Sequence, residues 1–239
     1  RLKGHARAVE EFLDDYARLL TVFEDRCPKP WIMVGHSMGA ALNLLSLQAG
    51  ETRFAGALLS SPMLRVKTGK HSMWSVKLAV RWNIRHGKAG DYVLDEPDDP
   101  FGHTFEKDAL TSDEGRYELW RQQMYACPHL AIGGTTWGWL AFALDAGERA
   151  LKLKALKSVR IPVTVVQAAD DDRVWKQTSR WATKRLPHGR YVEIGGAQHE
   201  VLMERDDLRA EAFREFEALA ERVAPAGAEQ NRVELEAAG

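Results

Sequence analysis

Four apolar residues, Trp31-Ile32-Met33-Val34, run into Gly35-His36-Ser37-Met38-Gly39 and then into residues 40–48, which have helical periodicity. This passage limits the fold more than any other. The apolar run is too short for a helix and suits a strand buried in a parallel sheet. Strand, tight turn and helix in direct succession form the repeating unit of a sheet layered with helices. The glycines have a steric reason. A sharp strand-to-helix turn strains the backbone of its central residue, and side chains two residues to either side would collide with neighbouring strands. Glycine relieves that crowding and leaves the Ser37 oxygen exposed at the carboxyl edge of the sheet. The helix that follows aims free N–H groups and the positive end of its dipole at the same place.

The rest of the chain fits this unit on both sides. Phe12, Tyr16, Leu19, Leu20 and Phe23 recur at helical spacing and predict an amphipathic helix ending near Asp25, before Pro28 and Pro30. Residues 54–61 read as another buried strand, stopped at Pro62. From Met63 to about Lys157 the alternation fails: this stretch is rich in Trp, charge and helical periodicity, with few strand-like runs. It resumes with Pro162-Val163-Thr164-Val165-Val166, a helix near 177–186, a strand at 191–194, and a final helix carrying Leu208, Phe213, Phe216, Leu219 and Val223. The reading is therefore an α/β core at 1–62 and 158–224, a helical insertion at 63–157, and a fraying tail at 225–239.

Composition narrows the function classes. A chain of 239 residues with 45% apolar and 28% charged residues has a sizeable core, which excludes disordered, collagen-like and coiled-coil chains. Lys and Arg number 33 against 34 Asp and Glu, so the net charge of −1 gives no overall pull toward nucleic acid. Cys27 and Cys127, far apart, form neither a disulfide framework nor a metal knuckle, and a reducing, cytoplasmic setting is expected. No apolar run nears the roughly 20 residues of a membrane span. The chain opens at Arg1 without Met or a signal-peptide core and reads as beginning part-way through something. Without a G-x-G-x-x-G opening a βα unit, a P-loop or an H-E-x-x-H, no cofactor or metal is expected.

A nucleophilic serine needs a base, and the base needs an orienting group. His199 lies in Gly195-Gly196-Ala197-Gln198-His199-Glu200, just past the last predicted strand. The acid belongs after the preceding strand, where Asp170, Asp171 and Asp172 stand side by side. Neighbouring side chains point differently, so one accepts the imidazole N–H while another is free to cap the next helix. Distance past the strand favours Asp171, with Asp172 as the alternative.

Together the Gly-His-Ser-Met-Gly turn, Leu59-Ser60-Ser61-Pro62-Met63 and the Gly195–Glu200 segment resemble an α/β-hydrolase, nearest the bacterial lysophospholipase and monoacylglycerol lipase-like serine hydrolases. Leu110-Thr111-Ser112-Asp113 with Arg116, and Gly133-Gly134-Thr135-Thr136-Trp137-Gly138-Trp139, are similar to the cap of that branch. Gly4-His5 with Phe12 and Tyr16 is similar to the helix before its nucleophile strand. The resemblance implies a Ser37–Asp171–His199 triad acting through an acyl-enzyme on esters of single-acyl-chain lipids, such as lysophospholipids or monoacylglycerols. It implies an oxyanion hole formed by the Met38 N–H and a second donor on a His-Gly-type loop, and this sequence has no such loop. It also places some four strands before the nucleophile helix, so the chain reads as an N-terminally truncated hydrolase with early strands missing. The same triad serves short esters, thioesters, amides or acyl transfer to an alcohol, and a catalytically impaired lipid-binding fragment is the rival reading.

Between Arg65 and Lys88 every charge is positive, and Trp74, Leu78, Arg81, Trp82 and Arg85 fall at helical spacing. Such a helix suits either a packed cap with a solvated rim or peripheral contact with an anionic inner-membrane surface. Acidic Asp91, Asp95, Glu96, Asp98 and Asp99 follow. Trp137, Trp139 and Phe142 suit either an acyl tunnel or simple core packing.

Overall fold

The computed structural model describes residues 2–93, 99–102, 104–108 and 110–225. In chain order its elements are β1 (Leu2–Gly4), α1 (Val9–Phe23), β2 (Trp31–His36), α2 (Ser37–Gln48), β3 (Phe54–Ser60), α3 (Met73–Arg85), α4 (Phe105–Asp108), α5 (Glu114–Ala126), β4 (Ile132–Thr135), α6 (Trp137–Ala150), α7 (Leu153–Ser158), β5 (Val163–Ala168), α8 (Lys176–Thr183), β6 (Gly189–Ile194) and α9 (Asp206–Val223).

Four strands form a parallel sheet in the order β2-β3-β5-β6. The two central strands are apolar along nearly their whole length because helices cover both faces. Successive residues point to opposite sides, so Leu59 and Val165 join a core with Leu44, Leu45, Phe142, Leu156 and Leu186, while Leu58 and Val166 join one with Ile194, Leu208 and Leu219. The first core packs α1, α2, α6 and α8 on one face; the second packs α9 on the other. All four carboxyl ends point the same way, which is where an open parallel sheet places its site.

The structure moves several predicted boundaries and adds two strands. β2 continues through Gly35 and His36, so the turn is confined to Ser37, where α2 already begins. α8 is shorter than the predicted helix at 177–186. The first residues do not run straight into helix. β1 pairs in parallel with β4, some 130 residues away, inside the stretch expected to be mostly helical. Thr136 fastens this small sheet: its hydroxyl donates to the Gly4 carbonyl at 3.0 Å, accepts the Trp139 N–H at 3.2 Å as the N-cap of α6, and meets His5 Nδ1 at 2.8 Å. α6, within the same stretch, is part of the main packing. It packs on α2, and Phe142 and Trp139 sit in or against the main core, with the Phe12 and Phe142 ring centroids 5.0 Å apart. Residues 226–239, Asp95, Glu96, Asp98 and His103 lie outside the described residues.

At the turn, a Cβ on Gly35 would lie 2.4 Å from Asn43 Nδ2 and 2.9 Å from the Ala40 backbone, so any side chain here forces α2 to shift. The crowding comes from α2 itself rather than from a neighbouring strand. Gly39 differs from expectation, because a Cβ there meets nothing within 4 Å. Gly39 lies just past the carboxyl end of β2, an edge strand whose second side has no partner among the described residues; Val34 on that strand is 49% exposed.

Candidate active site

Three strand ends supply the candidate site. Ser37 sits where β2 becomes α2, at φ +49°, in the left-handed region that side-chain-bearing residues seldom occupy. Its carbonyl accepts the Met63 N–H at 3.0 Å, which ties the turn to the chain leaving β3. Asp171 lies in the loop after β5 and His199 in the loop after β6, both buried.

His199 bridges the other two. Its Nδ1 is 2.9 Å from Asp171 Oδ2 and its Nε2 is 2.9 Å from Ser37 Oγ. A carboxylate accepts only, so Nδ1–H donates to Asp171 and Nε2 is left to accept the Ser37 hydroxyl proton. Asp171 is fixed at both oxygens. Oδ1 accepts the N–H groups of Arg173 at 2.8 Å and Val174 at 3.0 Å, and Oδ2 also accepts Gln167 Nε2–H at 3.0 Å. Burial pushes the Asp171 carboxyl up. The hydrogen bond and charge of His199 with the two backbone N–H groups outweigh it and hold the carboxyl below its ordinary range.

The neighbouring aspartates are turned elsewhere. Asp170 is exposed and Asp172 pairs with Arg173 at 3.2 Å. None of the three caps the next helix with its side chain: α8 begins after Trp175 with no side-chain cap bond. Among the described residues no group of three or more His, Cys, Asp or Glu is placed to hold a metal ion. Met38 is the second residue of α2, so its N–H is among the first four of the helix, which have no intrahelical acceptor. Its side chain packs against the main core.

Sequence reasoning missed other polar residues around the site. His36 meets His199 edge-on at 4.8 Å between centroids, and its Nε2 lies 3.1 Å from Glu200 Oε1. Burial pushes the Glu200 carboxyl up, but the hydrogen bond and charge of His36 and the charge of His199 bring it below its usual range. Gln167 was visible as a polar residue inside the apolar run of β5, and Glu200 as the residue next to His199. Glu204 lies in the loop between His199 and α9 and gave no signal.

Residues 1–206 match the family model described as "Serine aminopeptidase, S33". The chain belongs to this α/β-hydrolase family. Its curated relatives include the "Probable lysophospholipase L2" of Haemophilus influenzae, 26% identical over 216 residues, covering 89% of this chain and 66% of that protein. The lysophospholipase L2 of Escherichia coli is 27% identical over 222 residues, covering 88% and 63%. This S33 chain thus spans slightly less than two thirds of these curated relatives. Among solved structures, the monoacylglycerol lipase of Paleococcus ferrophilus superposes with a TM-score of 0.66 at 20% identity, covering 91% of this chain and 77% of the other. That likeness shows the shared fold.

Proposed function

We propose that this S33 chain carries the catalytic centre of a serine hydrolase that cleaves carboxylic esters of single-acyl-chain lipids, lysophospholipids or monoacylglycerols, through an acyl-enzyme. The continuous line Ser37 Oγ–His199 Nε2, His199 Nδ1–Asp171 Oδ2, with both links at 2.9 Å, carries the reading. His199 takes the Ser37 proton as Oγ attacks the ester carbonyl. The Met38 N–H and the N-terminal end of α2 face the oxyanion. The imidazolium, oriented and stabilised by Asp171, returns the proton to the departing glycerol oxygen, and water, activated by the same base, then releases the fatty acid.

The lipid class rests on the names of the curated relatives and on one surface. Trp74, Leu78 and Trp82 follow one another every four residues along α3 at 74%, 54% and 53% exposure, with exposed Arg81 and Arg85 on the same face. Lys88 lies over the Trp82 ring at 5.2 Å, while Lys77 is paired with Glu148. An apolar stripe with a cationic border matches the interface of an anionic bilayer, where such lipids reside. Among the described residues no helix is long and apolar enough to cross a membrane.

The deciding experiment uses the full-length gene product: fluorophosphonate labelling, and burst kinetics with p-nitrophenyl esters of increasing chain length. Ser37 labelling and a burst that vanishes in Ser37→Ala are expected; no labelling overturns the hydrolase reading. The family description favours a second reading, cleavage of an amide at a peptide N-terminus, because the same triad serves amides. Faster turnover of an aminoacyl p-nitroanilide than of the matched long-chain ester would select it.

A further inference from the structure

Asp171 and Glu204 are the two buried carboxylates among the described residues. Asp171 faces His199. Glu204, at 0% exposure, forms no salt bridge among the described residues; both its carboxyl oxygens are held by hydrogen-bond donors. Oε1 accepts the N–H of Gln198 at 2.7 Å and of Ser112 at 3.0 Å. Oε2 accepts the Ser112 hydroxyl at 2.5 Å and the Arg205 N–H at 3.2 Å.

These donors come from two separated parts of the chain. Gln198 immediately precedes His199, whereas Ser112 is some ninety residues upstream, between α4 and α5. On the other side of His199, the Glu200 N–H donates to the Leu110 carbonyl at 2.8 Å. Thr111 Oγ1–H donates to the Met203 carbonyl at 2.7 Å, and the Arg116 guanidinium donates to the Glu204 carbonyl and, at 2.5 Å, to Asp206. Both backbone neighbours of His199 are therefore fastened, one to the Glu204 carboxylate and the other to Leu110.

We propose that Glu204 is a positioning residue: with Ser112 it locks the loop carrying His199 to residues 110–116 and holds the imidazole in register with Ser37 and Asp171. This inference rests on the serine-hydrolase reading. It assigns Glu204 no contact with substrate, only control of where the base sits. A small displacement of a reacting group is enough to matter, since about 1 Å costs on the order of 100-fold in rate.

The test uses Glu204→Gln and Ser112→Ala in the full-length gene product, with kcat normalised to active sites titrated by fluorophosphonate. Glutamine keeps the shape but turns an NH2 group toward donors. We expect Glu204→Gln to lower kcat per active site on a p-nitrophenyl ester by at least about tenfold with KM within about twofold, and Ser112→Ala to do so less. The double variant is expected to be no worse than Glu204→Gln alone, because both break one network. The downfield proton resonance of the His199–Asp171 hydrogen bond is expected to broaden or move in Glu204→Gln. Loss of stability with that resonance and kcat per active site unchanged overturns the proposal. If Glu204→Gln does not fold, Ser112→Ala decides by the same two readouts. Absence of Ser37 labelling in the wild type defeats the hydrolase reading instead, and the resonance still decides the role of Glu204.

Discussion

At the scale of single residues, Asp171 shows how the site is both built and pH-limited. It accepts from Arg173, Val174, Gln167 and His199, and none of these bonds survives protonation of the carboxylate in the same form. Its folded value lies below the ordinary one, so its contribution to stability is present above the unfolded carboxyl value, about 4, and is lost as pH falls through the folded value. The Glu200 carboxyl has the same sign. Denaturant midpoints are thus expected to be insensitive to these two groups between pH 7 and 5 and to drop below about pH 4, with a smaller acid-side drop in Asp171→Asn. In that variant the amide no longer fixes the His199 tautomer, and kcat is expected to fall by a factor on the order of 10⁴, measured by ester hydrolysis. A fall of only a few-fold would mean that Asp171 does not orient the base.

At the scale of elements, β2 and α2 make opposite predictions for the two glycines of the turn. Gly35→Ala forces a Cβ into Asn43 and Ala40, and is expected to cost about 1–3 kcal/mol and to slow Ser37 labelling. Gly39→Ala enters open space in the first turn of α2, and the melting temperature of residues 1–239 is expected to stay or rise slightly. Thermal melts of both variants check this. These two elements were legible because their cause is local: an apolar run, a break, then helical spacing. The runs of β3, β5 and β6 were legible for the same reason. β1 and β4 were not, since Leu-Lys-Gly and Ile-Gly-Gly-Thr have neither an apolar run nor alternation, and they are strands only because they pair across the chain. The site divides in the same way. Ser37 and His199 announce themselves by local context, and the aspartate run narrowed the acid to three neighbours. The setting of Glu204 depends on Ser112, ninety-two positions away, a distance no local pattern spans.

At the scale of the whole molecule, the outward face of α3 and the open side of β2 are the two surfaces with consequences. The full-length protein is expected to bind phosphatidylglycerol vesicles more tightly than neutral ones. Trp74→Ala with Trp82→Ala should weaken that binding by roughly tenfold or more, and Arg81→Gln should cost about 1 kcal/mol that vanishes at high salt. Equal sedimentation with neutral and anionic vesicles would count against the membrane reading. The second surface is a row of backbone groups rather than of side chains. The strand that presents Ser37 has one row of backbone groups without a partner among the described residues, while β3 and β5 are flanked on both sides. Such an open row is a template onto which another extended segment can zip, and here it runs along the very strand that carries the proposed nucleophile.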